Sequence, residues 1–318
     1  MGKYQKLLLI VNRGCQRSGA FRQAVHMAGA LGAELHLGLF DHDSSIAAAG
    51  LVNSRIMALA KQAYLAEREE WLAELRLELY EQGVNAHTHV IWDAPVHEAI
   101  ARCALAVGAD LVIKDVHFEH GLRRVLFSSL DWKLLMLCPA PLWLVRSGSS
   151  GFPKRLVAAV DSTRRNGHGG EVNDEIMRAA RRFAEQVGGE LDLIHVQRAT
   201  PPLLLPHQGA GEEVTQLFEV LREQDAQAFQ AFAERHAVPF ERRHHLTGLV
   251  PQAVSQFASE RKSELVVLGT TYRTGVERIV LGSMAERILE QIGCDVLAVK
   301  PPDFARDVAR QIGLGQAA

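Results

Sequence analysis

Five residues carry the plainest chemistry in this sequence: Asp161, Gly269, Thr270, Gly282 and Ser283. Gly269 opens the run Gly269-Thr270-Thr271-Tyr272-Arg273-Thr274-Gly275 behind an apolar segment, and Gly282-Ser283 opens a helical stretch shortly after it. Glycines let a backbone come close to a phosphate, and the unpaired N–H groups of a helix amino terminus carry partial positive charge. Asp161 closes another apolar segment, where a carboxylate can accept hydrogen bonds from ribose hydroxyls or an adenine amino group. Each residue also has a plain structural reading, since glycines after strands are ordinary turn residues and Gly282-Ser283 is an ordinary helix cap. Neither standard nucleotide signature is present. Gly167-His168-Gly169-Gly170 lacks the GxGxxG spacing, and Gly14 to Gly19 has P-loop spacing but continues Ala20-Phe21 in place of Lys-Ser/Thr.

Other groupings are weaker. Asp115, His117, Glu119 and His120 could supply oxygen and nitrogen ligands to zinc, yet 14 histidines make such groupings easy to find, and solvated loop residues are the simpler reading. His87 and His89 share one strand face, and a half-exposed strand surface accounts for them. His244 and His245 face opposite sides of their strand. No metal site is assigned. Arg242-Arg243-His244-His245, and the pair Arg13 and Arg17, read as solvated faces. No HExxH, GxSxG or Cys/His nucleophile arrangement occurs, so the chain is read as a non-enzyme. A nucleotide transferase would want an HxGH-type signature, which is missing.

Residues of this kind need elements to hold them, and the sequence supplies those twice. A shift of 154 residues lays Leu111 to Arg146 on Leu265 to Lys300 without a gap, with identities at Leu111, Val112, Gly121, Arg124, Ser129, Leu135 and Val145. The amino-terminal runs Lys6 to Asn12 and Arg155 to Asp161 match at a slightly different offset. A repeat of this length decides the domain count directly. The division is residues 1–147, a small-residue linker at 148–153, residues 154–302, and a tail at 303–318 read as a surface helix or frayed end. Apolar runs predict strands at Lys6 to Val11, Glu34 to Phe40, Ala86 to Trp92, Leu111 to Ile113 and Leu142 to Val145. The second set lies at Leu156 to Val160, Glu190 to Val196, Phe240 to Leu246, Leu265 to Leu268 and Val296 to Val299. Helices fill the gaps, the longest at Ser54 to Gln82. Several strands are apolar on successive residues, the mark of parallel strands covered on both faces. The fold class is α/β: two tandem doubly wound, Rossmann-like domains, each with a five-stranded parallel sheet. Ligands of such sheets bind beyond the carboxyl ends of the strands, where Asp161, Gly269 and Gly282-Ser283 fall.

Composition narrows the partners. With 35 basic against 37 acidic residues, nothing global attracts a polyanion, so neither nucleic acid nor an anionic membrane is expected as a partner. No apolar run approaches the roughly 20 residues that span a bilayer, and the amino terminus leads into no signal-peptide core. Cys15, Cys103, Cys138 and Cys294 form no CxxC pair and read as reduced, mostly buried thiols. The expected location is the cytoplasm.

The repeat, with VVLGTTYRTGVERIVLGSMAERIL followed by CDVLAVKPP in the second half and DWKLLMLCPAPLWLVR closing the first, resembles the tandem universal stress proteins of the E type. The resemblance covers about residues 4 to 302. It implies a UspA-type fold and a cytosolic stress-response role, with ATP or a related nucleotide as a regulatory ligand. Mg²⁺ as its companion stays open, and ATP hydrolysis is slow at most. In nucleotide-binding relatives an Asp closes the first strand, and the loop reads Gly, two residues, Gly, nine residues, Gly, Ser/Thr. Asp161, Gly269, Gly282 and Ser283 match, with Thr270 beside the first glycine, while Tyr272 replaces the second glycine. The first half has Asn12, Asp115, Phe118 and Ser128 at the equivalent positions and keeps only Ser129, so ATP is expected in the second domain alone. The resemblance also implies pairing of the two domains through their fifth strands as an internal pseudo-dimer, and leaves a homodimer open. The alternative is a scaffold or non-nucleotide stress protein whose drifted sites take another small or amphipathic metabolite.

Overall fold

A computed structural model describes residues 2–42, 54–119, 124–147, 151–163, 168–198, 212–270 and 281–314. It divides into two compact units: Met1–Glu119, Leu126–Phe152 and Asp303–Ala318 in the first, His120–Val125 and Pro153–Pro302 in the second. The first runs β1 (Lys6–Val11), α1 (Gly19–Leu31), β2 (Glu34–Asp41), α2 (Ser54–Glu81), β3 (Ala86–Trp92), α3 (Val96–Val107), β4 (Leu111–Glu119), α4 (Ser129–Leu137) and β5 (Leu142–Arg146). These strands are parallel in the order β3-β2-β1-β4-β5. The second runs β6 (Arg155–Val160), α5 (His168–Val187), β7 (Glu190–Arg198), α6 (Glu212–Arg235), β8 (Arg243–Gly248), α7 (Val250–Glu260), β9 (Leu265–Gly269), α8 (Ser283–Leu289) and β10 (Asp295–Val299). Its order, β8-β7-β6-β9-β10, repeats that of the first.

The unalternating strands are buried on both faces, as their composition predicts. Leu7, Leu8 and Leu9 of β1 and Val266 and Val267 of β9 are at most 1% exposed, and each buried aliphatic side chain contributes about 1.5–3 kcal/mol. Helix α1 starts where the Ser18 hydroxyl accepts the Phe21 N–H and stops at Gly32, which takes the left-handed conformation that side chains resist. Two boundaries differ from the apolar pattern. Pro239 begins a 3-10 turn over Phe240–Arg242, so β8 starts at Arg243 and Phe240 is 77% exposed. Strand β4 continues well past Ile113 because Lys114, the first charged residue of the run, finds a buried carboxylate on α4.

The last described element, α9 (Phe304–Gln311), packs against α3 and belongs to the first unit. Its Phe304 and Val308 are fully buried. All four cysteines are thiols outside any disulfide, and burial pushes the Cys103 thiol up to about 11. Among the described residues no helix is long and apolar enough to cross a membrane.

Candidate functional site

At the carboxyl ends of β6, β7 and β9 the second unit encloses a cavity of about 1360 Å³. Asp161, Gly269, Gly282 and Ser283 line it, together with residues of α5 and α6. Four of the five residues singled out in the sequence therefore meet at one concavity.

Asp161 follows β6 directly. Its N–H donates to Asn173 Oδ1 at 3.1 Å, and its carbonyl accepts from Asn173 Nδ2 at 2.6 Å. Asn173 is 4% exposed on α5, so a buried amide side chain clamps the backbone that presents the carboxylate. That carboxylate accepts the Thr163 hydroxyl at 2.6 Å.

Gly269 ends β9, and its missing side chain has a packing cause. A Cβ there would stand 2.3 Å from Val172 Cγ1 and 3.1 Å from Ile176 Cδ1. The glycine thus lets α5 lie against the strand end and form that part of the wall. Thr270 is the exception among the five. It is 1% exposed and does not line the cavity, and both its N–H and its hydroxyl donate to Val299 O, at 3.0 and 3.3 Å.

Gly282 is the N-cap of α8, and among the described residues no side chain caps that helix. The equivalent helix of the first unit is closed. There Ser128 is the N-cap of α4, its N–H and hydroxyl donate to Asp131 Oδ2 at 2.6 and 2.7 Å, and its hydroxyl accepts the Asp131 N–H at 3.2 Å. Lys114 Nζ stands 2.7 Å from Asp131 Oδ1. In the repeat register Asp131 corresponds to Ala285 and Lys114 to Leu268. The first unit therefore carries its own anion where the second carries a methyl group.

The other first-unit positions are also engaged. Asp115 accepts the Ala20 N–H at 2.9 Å near the start of α1, and Asn12 Oδ1 accepts the Gln16 N–H at 3.0 Å. Arg13 pairs with Asp41 at 2.9 Å, and Asp41, 2% exposed, also takes the Tyr64 hydroxyl. Arg17 pairs with Glu78, and Arg242 with Glu190 at 2.7 Å. Thr271, Tyr272, Arg273, Gly275, His120 and the Phe118 and Glu119 side chains lie outside the described residues.

Two histidine groups are larger than the pairs the sequence shows. His87 and His89 are joined on β3 by His36 of β2, whose Nδ1 is 3.0 Å from His89 Nε2. Burial first, and then the charges of His89 and His87, hold His36 below the ordinary histidine value, against the opposing pull of Glu34. In the second unit His244 and His245 do face opposite sides of β8, and each finds an aspartate. His244 Nε2 is 3.0 Å from Asp192 Oδ1. His245 stands in register with His195 of β7, and both meet Asp225 of α6 at 2.8 and 2.9 Å. Adjacent parallel strands and an aspartate on a distant helix leave no local sequence signal.

Comparison with known proteins agrees with the repeat. The family model described as "Universal stress protein family" matches residues 3–146 and again 153–300. The chain is 26% identical over 312 residues to Universal stress protein E of Salmonella typhi, covering 97% of this chain and 98% of that one, and equally so to its Escherichia coli K12 counterpart. Among solved structures, a protein of unknown function from Pseudomonas aeruginosa PAO1 matches with a TM-score of 0.74 and 22% identity, over 98% of both chains.

Proposed function

This chain belongs to the universal stress protein family, and from that premise we propose that its second domain binds ATP or a related nucleotide as a regulatory ligand in a cytosolic stress response. The observation that carries the reading is the convergence of Asp161, Gly269 and Gly282-Ser283 on one cavity. At about 1360 Å³ the cavity exceeds the roughly 300–1,000 Å³ of common small-molecule sites and has room for a nucleoside triphosphate. Val160, Ile194 and Val196 offer apolar surface to a base. Asp161, held by Asn173, is placed for ribose or adenine donors. The start of α8, where none of the described side chains caps the helix, would take the phosphates, with Mg²⁺ as their companion.

The role is binding, in which occupancy alters shape or partner choice, and any hydrolysis is slow. The first domain does not take part, because Asp115 and Asp131 already hold backbone N–H groups at its helix starts and would repel a triphosphate. A second reading, an amphipathic metabolite, draws on the same apolar walls. It also draws on Thr270, which spends its N–H on Val299, and on Gly269, whose open side is filled by Val172.

Calorimetry of the full chain with ATP and Mg²⁺, alongside Gly282→Asp, tests the reading. A stoichiometry near one that the substitution abolishes supports it. Absence of heat from folded protein overturns it in favour of the second reading, and a stoichiometry of two overturns the exclusion of the first domain.

A further inference from the structure

We propose that His195, Asp225 and His245 form a binding site for one divalent transition-metal ion of the zinc class at the inner wall of the second unit's cavity. The ligand atoms of the three residues all lie within 4.8 Å of one another. Asp225 Oδ1 is 2.9 Å from His195 Nε2 and 2.8 Å from His245 Nε2. Zinc takes imidazole nitrogen at about 2.0–2.1 Å and carboxylate oxygen at about 2.0–2.2 Å, which sets tetrahedral ligands about 3.3 Å apart. The two nitrogen–oxygen spacings are within about half an ångström of that value, and the two histidine nitrogens, at most 4.8 Å apart, close toward it as the ion enters.

The group is held as metal ligands are held. His195 is 4% exposed. His195 and His245 stack with ring centroids 5.5 Å apart, and the fully buried Phe229 stacks on both, at 6.0 and 5.6 Å. The second nitrogen of His195 is the decisive feature. Its Nδ1 is 3.3 Å from the Ser162 N–H and 3.2 Å from the Val160 carbonyl, one donor and one acceptor. With its proton on Nε2, the ring donates to Asp225 and accepts from Ser162. With its proton on Nδ1, it donates to Val160 and turns a lone pair toward the group. The second tautomer is the one a metal requires, and a backbone carbonyl behind the outer nitrogen is the usual support of a ligating histidine. On His195 metal binding moves the proton from Nε2 to Nδ1, the same shift carries the His245 Nε2 proton to its own Nδ1, and the ion takes the place of the two protons that face Asp225. Two histidines and one carboxylate leave a coordination position for water or a cavity ligand, the pattern of open zinc sites. His195 and Asp225 both line the cavity.

The proposal does not depend on the nucleotide reading and is tested without nucleotide. Metal-stripped full-length protein is titrated with Zn²⁺ against a chromogenic chelator, and with Co²⁺ by absorption. One ion per chain is expected, with a tetrahedral cobalt spectrum. Asp225→Asn and His245→Gln should each weaken Zn²⁺ binding about 100-fold or more, beyond the roughly 10–100-fold that losing an outer support costs. His87→Gln, in the first unit, should leave it unchanged. His245→Cys guards against misfolding of the other variants: it should bind Co²⁺ and add a thiolate-to-cobalt charge-transfer band. Failure of the native chain to bind Zn²⁺ overturns the proposal. So does equal binding by the Asp225 and His245 variants, loss of binding in His87→Gln, or a folded His245→Cys protein without the new band.

Discussion

Transplanting the closed helix start of the first unit into the second should separate stability from binding. The perturbation is Gly282→Ser with Ala285→Asp, which recreates at α8 the Ser128–Asp131 capping box of α4. Glycine is itself a fair N-cap, so Gly282→Ser adds only roughly a few tenths of a kcal/mol and the new carboxylate in the first helical turn about 0.3–1 kcal/mol, together about 1 kcal/mol, which for a unit of this size raises the melting temperature by about 2–4 °C. The gain stops there, because Leu268 stands where Lys114 supports Asp131. The same carboxylate would sit near any phosphate bound at α8. Two like charges about 4 Å apart repel by about 1 kcal/mol in bulk water and about 4 kcal/mol at the effective dielectric of a partly shielded site. At about 1.4 kcal/mol per decade, ATP affinity should fall between about 5-fold and 1,000-fold, and the internal carboxylate also takes N–H groups that a phosphate would use. Scanning calorimetry and isothermal titration read the two effects on one sample. They should move in opposite directions, which no general damage to the fold can imitate. A more stable variant that binds ATP with native affinity would refute the placement of phosphate at α8.

Three further outcomes follow from measured geometry. Asp131→Asn leaves Lys114 as an uncompensated, largely buried charge and should destabilise the first unit by about 3–5 kcal/mol in urea unfolding; a change below 1 kcal/mol would mean the pair is already well hydrated. Gly269→Ala should cost about 1–3 kcal/mol by overpacking against Val172, and Val172→Ala in the same chain should recover most of it; equal stability of the single and double variants would show that the contact does not set the glycine. Because folding holds His36 and His89 below the ordinary histidine value, the unfolded chain binds protons first. Their contribution is complete above pH of about 6.5 and is lost as pH falls toward the folded values. Urea midpoints between pH 7.5 and 5 should drop, and His36→Gln with His89→Gln should flatten the drop; an equally steep profile in that variant would count against the assignment.

The fold was legible wherever burial on both faces left a run of apolar residues. Strand β1 needs no more than Leu7 to Val11 to announce itself. Reading failed where one residue was apolar for another reason, as at the exposed Phe240, or charged inside the sheet, as at Lys114. The site was legible to the extent that it hangs on strand ends. Asp161, Gly269 and Gly282-Ser283 follow β6 and β9 or open α8, and position alone brings them to the cavity. Gly269 shows the limit of that logic, since its absent side chain answers to Val172 as much as to any ligand. Asn173, 12 residues from Asp161, and Asp225, 30 from His195, act through helix placement that local spacing does not encode. The substitution of Asp131 by Ala285 stands in the aligned repeat in plain view, yet it acquires meaning only once Asp131 is seen closing its own helix.

Helix α9 has a consequence for the order in which this protein is made. Phe304 and Val308 seal part of the first unit against α3, but they are translated after Pro153–Pro302 has been synthesised. At roughly 5–20 residues per second, on the order of 10–30 s separate the end of the first unit's main body from its final piece. Through that interval the nascent chain displays an apolar patch on α3, which stays open until α9 has been made. The amino-terminal half is therefore finished last, and the second unit is free to fold while the first still waits for its seal.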